Sequence, residues 1–325
     1  MIGFISYAVF FSTVASILAI AVLGLNLQWG FTGLFNGGVV AFFGAGAYGT
    51  LILGGTPQAD HLGGFGLIYP LALAGGAAVA GLLAWVVGIL TLRLRQDYLA
   101  IATFGIAVTF ENVMRNAEAL SGGAKGFRGF ERPLRDLFGD GFGYNLAFFC
   151  FVLALLVGVF LFLERLVRSP FGRLLRAIRE DEDAARSLGK SPARVRLVSF
   201  VTGSVIIGLA GGLYATFYAF ISPQDVLPTL TFQIWAMLIV GGAGNNRGAV
   251  FGAFLIWGGW TSSGWALSRF APVEAQLYTG SIQYILIGSI IVTMLLWRPQ
   301  GLLPERLVIS QAGQPRKPRT TGSMT

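Results

Sequence analysis

Cysteine and histidine are nearly missing from this chain: its 325 residues include one of each, Cys150 and His61. That excludes a disulfide framework and leaves too few donors for a multi-ligand metal site. It equally removes the histidine-based sets on which hydrolytic enzymes rely, so a membrane enzyme is the least favoured reading. Charge is scarce as well. Charged residues make up 12% of the chain against 54% hydrophobic ones, and residues 1–59 hold no Asp, Glu, Lys or Arg. No soluble fold could keep such a stretch in solution, which places the chain among polytopic membrane proteins. The N-terminus has neither a basic flank nor a small-residue cleavage site, so it reads as a retained first helix. Cys150 falls in an apolar run and is expected to pack there.

Apolar segments lie near 5–25, 31–54, 67–91, 98–114, 144–164, 198–221, 228–241, 248–268 and 281–297. Most approach the roughly 20 residues that a helix needs to cross the hydrocarbon. None alternates like a barrel strand, and backbone groups in lipid must be satisfied internally, so these segments are helices. The expected fold is all-α: a polytopic integral membrane protein with about eight or nine transmembrane or re-entrant helices. The 46 glycines, including the pairs Gly75/Gly76 and Gly211/Gly212, point to close helix packing.

The charge that exists is concentrated. A loop from Arg165 to Arg196 (165–197 with its flank) holds nine of the 23 basic residues and the acidic run Glu180, Asp181, Glu182 and Asp183. With this island on the cytoplasmic side, seventeen basic residues fall inside and six outside, the last group including Arg115, Lys125, Arg128 and Arg269. A net charge of +8 is therefore a matter of membrane orientation, and nothing resembles a nucleic-acid module. Nine full crossings put the N-terminus outside; a re-entrant 31–54 puts it inside.

Two Gly-rich stretches interrupt the helical pattern: Gly30–Gly55, with Thr32 and Asn36, and Gly241–Gly248, with Asn245 and Asn246. Broken segments of this kind often mark a substrate path in transporters; the alternative is a tight turn with close helix packing. Asn26, Gly33, Asn36, Gly242, Gly244 and Asn245 are the candidate path residues. In the island, Phe171, Leu174, Leu175 and Ile178 recur at helical spacing, and Ala184, Ala185 and Leu188 continue an apolar stripe to a stop at Gly189. Ser191-Pro192 then opens a second helix. Two short surface helices joined at Gly189, with small alanines at the turn, have the shape of a docking element. An orienting amphipathic loop is the alternative, although four acids in a row suit an anionic lipid surface poorly.

The stretch Asp183-Ala184-Ala185-x-x-x-Gly189 resembles the Glu-Ala-Ala-x-x-x-Gly coupling signature of permeases in ATP-binding-cassette importers. The run from Arg176 to Ala185, followed by Leu209 to Ala215, is similar to the LivM-type permease of branched-chain (hydrophobic) amino acid importers. So are Leu23–Leu27 with Gly33, Ala41–Tyr48, Met237–Gly244, Arg298–Leu303 and Ser121-Gly122-Gly123-x-x-Gly126. Together they span roughly residues 20 to 303. Where that family often has Ser-x-Gly-His, this chain has Asn36-Gly37-Gly38-Val39, and Asp183 replaces the usual Glu.

The resemblance implies one permease domain over 1–309, with 165–197 as a cytoplasmic coupling loop. It also implies residence in a bacterial inner membrane; the charge count makes 115–143 an extracytoplasmic loop, and the Pro/Arg/Thr-rich composition of 310–325 makes that a disordered cytoplasmic tail. The implied partners are a second LivH-type permease, two ATPase subunits, an extracytoplasmic substrate-binding protein and membrane lipid. ATP and Mg would be bound by the ATPases, with no cofactor in this chain. Arg179, Glu180, Asp181, Glu182, Asp183, Ala184, Ala185 and Gly189 are the implied coupling residues.

Gly189-Lys190-Ser191 is not a phosphate loop, because Ala184 stands where that motif needs glycine and no strand precedes it. Glu111 and Arg115, four apart at the end of a crossing, are placed to pair at the interface. The runner-up function is a urea or short-chain amide permease of the same superfamily. A secondary transporter is a third reading, and Glu111 is the nearest approach to the mid-membrane carboxylate it would need.

Overall fold

The computed structural model describes residues 2–56, 63–94, 96–128, 133, 139, 141–270, 272, 276 and 278–305. His61 and the tail 310–325 lie outside them, as does part of the loop 115–143. The first helix, α1 (Ile2–Asn26), carries no charge and continues through a wider π-helical turn, Leu27–Phe31. An irregular stretch then leads to α2 (Val39–Gly54), followed by α3 (Tyr69–Thr91) and α4 (Gln96–Asn116). A short helix α5 (Glu118–Ser121) and a two-residue strand β1 (Phe127–Arg128) precede α6 (Phe142–Arg168). The island forms α7 (Pro170–Glu180) and α8 (Glu182–Ser187). The chain then runs through α9 (Pro192–Tyr218), strand β2 (Phe220–Ile221), α10 (Pro228–Gly241), α11 (Asn246–Phe270) and α12 (Thr279–Trp297).

Contacts fix the direction of each crossing. The Phe10 ring meets Phe217 at the end of α9, 5.4 Å between centroids, whereas Asn26 donates to Asn246 at the start of α11. The start of α1 therefore lies opposite the island and its end lies beside it. Gly33 abuts Arg179 of the island, yet Gly55 sits near Phe127 of β1, and β1 pairs antiparallel with β2 at the far side. The segment 31–54 thus crosses the membrane fully, and the N-terminal end lies opposite the island.

Two of the crossings are helical for only part of their depth. α2 has 16 residues and α10 has 14, about 24 and 21 Å of helix against a hydrocarbon core of about 30 Å. The irregular stretches 32–38 and 219–227 make up the difference, one near the island side and one near the far side. α1–α2 and α9–α10 are consequently similar broken pairs running in opposite directions. The Gly241–Gly248 stretch has a different role, as the tight turn between α10 and α11. There the glycines let the two helices touch: a side chain on Gly241 would strike the Gly248 carbonyl.

The centre is formed by α1, α2, α3 and α9. α2 is buried along most of its length because its glycines admit neighbouring backbones. A Cβ at Gly46 would overlap Gly208 of α9, and one at Gly211 would overlap the Phe43 carbonyl. Such approaches replace the hydrophobic drive that lipid cannot supply between apolar helices. α6 and α12 are peripheral, each with a row of exposed apolar side chains. Cys150, expected to pack, is exposed on α6, since that helix buries only the face carrying Tyr144, Phe148, Val152 and Leu156.

Overpacking of this kind costs about 1–3 kcal/mol or more. Gly211→Leu should therefore lower the melting temperature of the detergent-solubilised protein or abolish monodisperse elution. Gly105→Ala, where no heavy atom would lie within 4 Å of the new Cβ, should leave both unchanged.

Candidate functional site

The island is shaped by competition for its backbone. α7 begins at Pro170 and buries Gly172, Leu175 and Ile178, leaving Arg173, Ala177 and Glu180 outward. The stripe was expected to continue unbroken to Gly189, but the helix stops at Asp181. That residue turns extended and its carboxylate accepts from Ala184 N at 2.9 Å, capping α8. Four consecutive acids repel one another in a helix, and an N-cap at the second of them relieves the crowding while giving Glu182 and Asp183 a favourable first-turn position. The two short helices are therefore joined at Asp181. Gly189, with φ +73°, instead links α8 to the spanning helix α9, a left-handed conformation that glycine adopts without a Cβ penalty. Pro192 opens α9, and Ser191 makes no side-chain cap.

The eight coupling candidates divide by direction. Glu180, Asp181, Asp183, Ala184 and Gly189 are exposed. Ala185 is buried, and Glu182 turns inward to Arg196 at 2.5 Å and Arg186 at 2.9 Å. Leu188, not among the candidates, is 79% exposed, an apolar knob at the tip of the turn. In the sequence it stood as one more member of the stripe of Ala184 and Ala185, and only its exposure singles it out.

Arg179 points the other way, into the protein. One guanidinium nitrogen donates to the Gly30 carbonyl in the π-turn, and another reaches Glu305 Oε2 at 2.8 Å. Glu305 also pairs with Arg176 at 3.2 Å. Charge-assisted bonds of this kind are worth about 1.5–3 kcal/mol when partly buried. Five of the six path candidates gather around this clasp. Asn26 is fully buried, accepts from Gly244 N at 2.9 Å and donates to Asn246 Oδ1 at 3.0 Å. Asn246 in turn donates to Glu164 at the end of α6, 3.1 Å away. Asn245 holds the Leu303 and Pro304 carbonyls at 3.2 Å each, and Gly33, Gly242 and Gly244 all have positive φ. These residues form a junction joining the island, the end of α1, the α10–α11 turn and the segment after α12.

Asn36 lies elsewhere. It donates to Gln28 Oε1 at 2.8 Å, and Gln28 in turn donates to the Phe200 carbonyl and Ser204 of α9. The Asn36 carbonyl accepts from the Trp235 indole at 2.9 Å. Trp235 is stacked on Phe35 with centroids 4.3 Å apart, and Trp29 meets both edge-on. These three aromatics wall a cavity of about 650 Å³, closed further by Ile101 and Phe104 of α4, Thr231 and Ile239 of α10, and Ile291 of α12. Apart from Thr231 the side chains of this wall are apolar or aromatic, and Ile101 and Phe232 leave it open sideways into the membrane plane. Trp29 and Phe35 stand beside Gly30 and Asn36 in the broken segment; their proximity to the break was the available signal, but aromatics in an apolar run read first as packing.

Glu111 is buried at the far end of α4 and bonded to Arg115 Nε at 2.8 Å, the pairing expected from their spacing. The described residues contain no group of three His, Cys, Asp or Glu that could hold a metal.

Removing the Asn26 side chain would leave the buried Gly244 N–H without an acceptor, at a cost of about 1–3 kcal/mol. Asn26→Ala should therefore lower the melting temperature clearly in detergent, while Asn112→Ala, on the exposed face of α4, should not. Equal melting of the two variants would contradict the junction as described.

A family model described as branched-chain amino acid transport system / permease component matches residues 7–295. The high-affinity branched-chain amino acid transport system permease protein LivM of Escherichia coli (strain K12) is 33% identical over 315 residues, covering 90% of this chain and 69% of the relative. A probable branched-chain amino acid transport permease protein LivM of Methanocaldococcus jannaschii is 27% identical over 334 residues, covering 89% and 90%. A probable LivH permease of the same archaeon is 31% identical over 109 residues, 32% of each chain. Oppositely running broken helix pairs, an apolar cavity beside them and an exposed charged island thus occur in a chain matched over most of its length, and this protein belongs to the branched-chain amino acid transport permease family.

Proposed function

We propose that this permease carries branched-chain and other hydrophobic amino acids across a bacterial inner membrane as one half of an ATP-driven importer. The observation that supports the substrate class is the cavity walled by Trp29, Phe35 and Trp235. A urea or short-amide solute has little apolar part for such a wall to hold, whereas the ammonium and carboxylate of an amino acid would be met by polar groups outside it, such as those of a second permease. This wall offers the Thr231 hydroxyl, already accepting from Val40 N at 3.1 Å. An isobutyl or sec-butyl side chain gains from burial among aromatic faces instead, about 1.5–3 kcal/mol for a fully buried Leu or Ile.

The cavity is open on one flank, between exposed apolar side chains of α4 and α10. A second, related permease of LivH type fits that flank, and the two would enclose the path between them. An extracytoplasmic binding protein would deliver substrate at the β1–β2 side. Two ATPase subunits, holding ATP and Mg, would engage the exposed face of the island: Leu188 as the apolar anchor, Ala184 and Gly189 as the close-approach surface, and Glu180, Asp181 and Asp183 as the charged rim.

Motion of the island is transmitted inward by Arg179. Its guanidinium grips the carbonyl of Gly30, whose neighbour Trp29 is part of the cavity wall, and Glu305 ties the same guanidinium to the segment following α12. Displacing the island by an ångström or two would shift the π-turn and reset the Trp29–Phe35–Trp235 cluster, a rigid-element transition between two packed states.

Two variants of the island test the docking surface in the assembled complex. Leu188→Arg and Ala184→Glu should each reduce co-purification of the ATPase subunits by about tenfold or more, equivalent to about 1.4 kcal/mol; retention at the wild-type level in both would refute it. In proteoliposomes holding the whole complex, leucine uptake should require ATP hydrolysis, and Trp235→Ala should lower the uptake rate without changing ATPase assembly. Uptake driven by an ion gradient without ATPases, or a binding protein that takes urea and rejects leucine, would overturn the assignment.

A further inference from the structure

We propose that the flank formed by α6 and α11 is a binding site for one anionic phospholipid of the island-side leaflet. Two adjoining features point to it. The first is a cavity of about 430 Å³ at the end of α6, where Arg168, Arg173, Arg176 and Arg247 face a single acid, Glu164. Arg168 is engaged by Glu164 at 2.6 Å and Arg176 by Glu305 at 3.2 Å. Arg173 and Arg247 have no carboxylate partner among the described residues and are exposed, so two guanidinium groups at one cavity await a counter-ion. The second is an apolar groove of about 410 Å³ between α6 and α11, lined by Leu156, Val157, Phe160, Val250, Phe251 and Phe254. Arg247 lines both, so the basic cavity and the groove meet at that residue.

The dimensions suit a lipid. From Arg168 at the end of α6 to Leu156 is twelve residues, about 18 Å along the helix, which is of the order of an acyl chain. Arg247 in the first turn of α11 stands at the membrane interface, where arginines reach headgroups and their stems cover apolar surface. A basic pocket between spanning helices on the cytoplasmic side is a setting in which a phosphate diester binds with its chains in the adjoining groove. Neither feature shares a lining residue with the cavity of Trp29 and Trp235, and Glu180, Asp181, Asp183, Ala184, Leu188 and Gly189 line neither. The site is thus separate from the proposed path and from the proposed ATPase surface. A lipid bound here would brace α6, the α10–α11 turn and the start of α7, three elements that converge on Glu164 and Asn246.

Native mass spectrometry of the full chain, released from mixed micelles with equal fractions of dioleoyl phosphatidylglycerol and dioleoyl phosphatidylcholine, tests the assignment. One phosphatidylglycerol per chain should be retained in preference to phosphatidylcholine. The double variant R173Q/R247Q should retain it about thirtyfold less, as expected from the loss of one favourable contact per arginine. Val157→Trp, which fills the groove and leaves the arginines intact, should lower retention as well; unaltered melting temperatures in both variants show that folding is preserved. Equal retention of the two lipids, or undiminished phosphatidylglycerol in both variants, would overturn the proposal. Displacement of the lipid by millimolar inorganic phosphate would make the cavity a soluble-anion site, and loss of ATPase association in R173Q/R247Q with lipid retention unchanged would make it a protein contact; either result also overturns it.

Discussion

The carbonyl of Gly30, released by a π-turn and gripped by the Arg179 guanidinium, is the contact on which the rest of the arrangement depends. An α-helix has no carbonyl to spare in its interior, and a charged residue has little reason to reach into a membrane domain. Both obstacles are removed here, because the π-turn that follows Asn26 ends at Phe31 and leaves the Gly30 carbonyl without an intrahelical partner. Gly30 has no room for a side chain, since one would strike Asn26 Oδ1 and the Gly244 amide. The same few atoms therefore fix where α1 ends, where the α10–α11 turn sits and how the island is held against the membrane domain. Glu305 completes the arrangement by balancing two arginines at once.

Packing determines why the contact can transmit anything. α2 lies between α3 and α9 with backbone against backbone, so the core has few soft side chains to absorb a displacement. The irregular stretches 32–38 and 219–227 are the places where the chain can change course. One of them carries Phe35 and Asn36, and Asn36 is fastened to Trp235 across the cavity. In the proposed mechanism, movement of the island thus arrives at an aromatic wall and not at a deformable loop.

Much of this was legible in the sequence, and the exceptions share a cause. Charge-free runs located the nine apolar segments, because hydrophobicity in lipid is a matter of composition. Gly189 announced its left-handed turn. The side of the N-terminal end relative to the island was undetermined, because no charge flanks α1; contacts of Phe10 and Asn26 with opposite ends of other helices place it opposite the island. The break at Asp181 was hidden because an acidic run is compatible with both a helix and a cap. Asn26 and Asn245 were chosen as polar residues in apolar surroundings and Gly244 as a neighbouring glycine, and they do converge. They converge on a junction near the island, and the cavity wall is built instead from Trp29, Phe35 and Trp235, whose partnership across 200 residues no local pattern could reveal. Cys150 was assigned to packing by its neighbours, and only the one-sided burial of α6 shows otherwise.

The central claim is that Arg179 carries motion from the island to the cavity. Spin labels at Ser187→Cys on the island and Ile101→Cys at the cavity, in a Cys150→Ser background of the assembled complex, would report both ends. Pulsed electron–electron resonance with and without ATP then compares the native chain with Arg179→Ala. The account predicts that ATP shifts the inter-label distance distribution in the native chain, and that in Arg179→Ala uptake is lost while ATP still binds and the cavity label no longer responds. The same ATP-dependent shift in both backgrounds, with uptake retained, would contradict it.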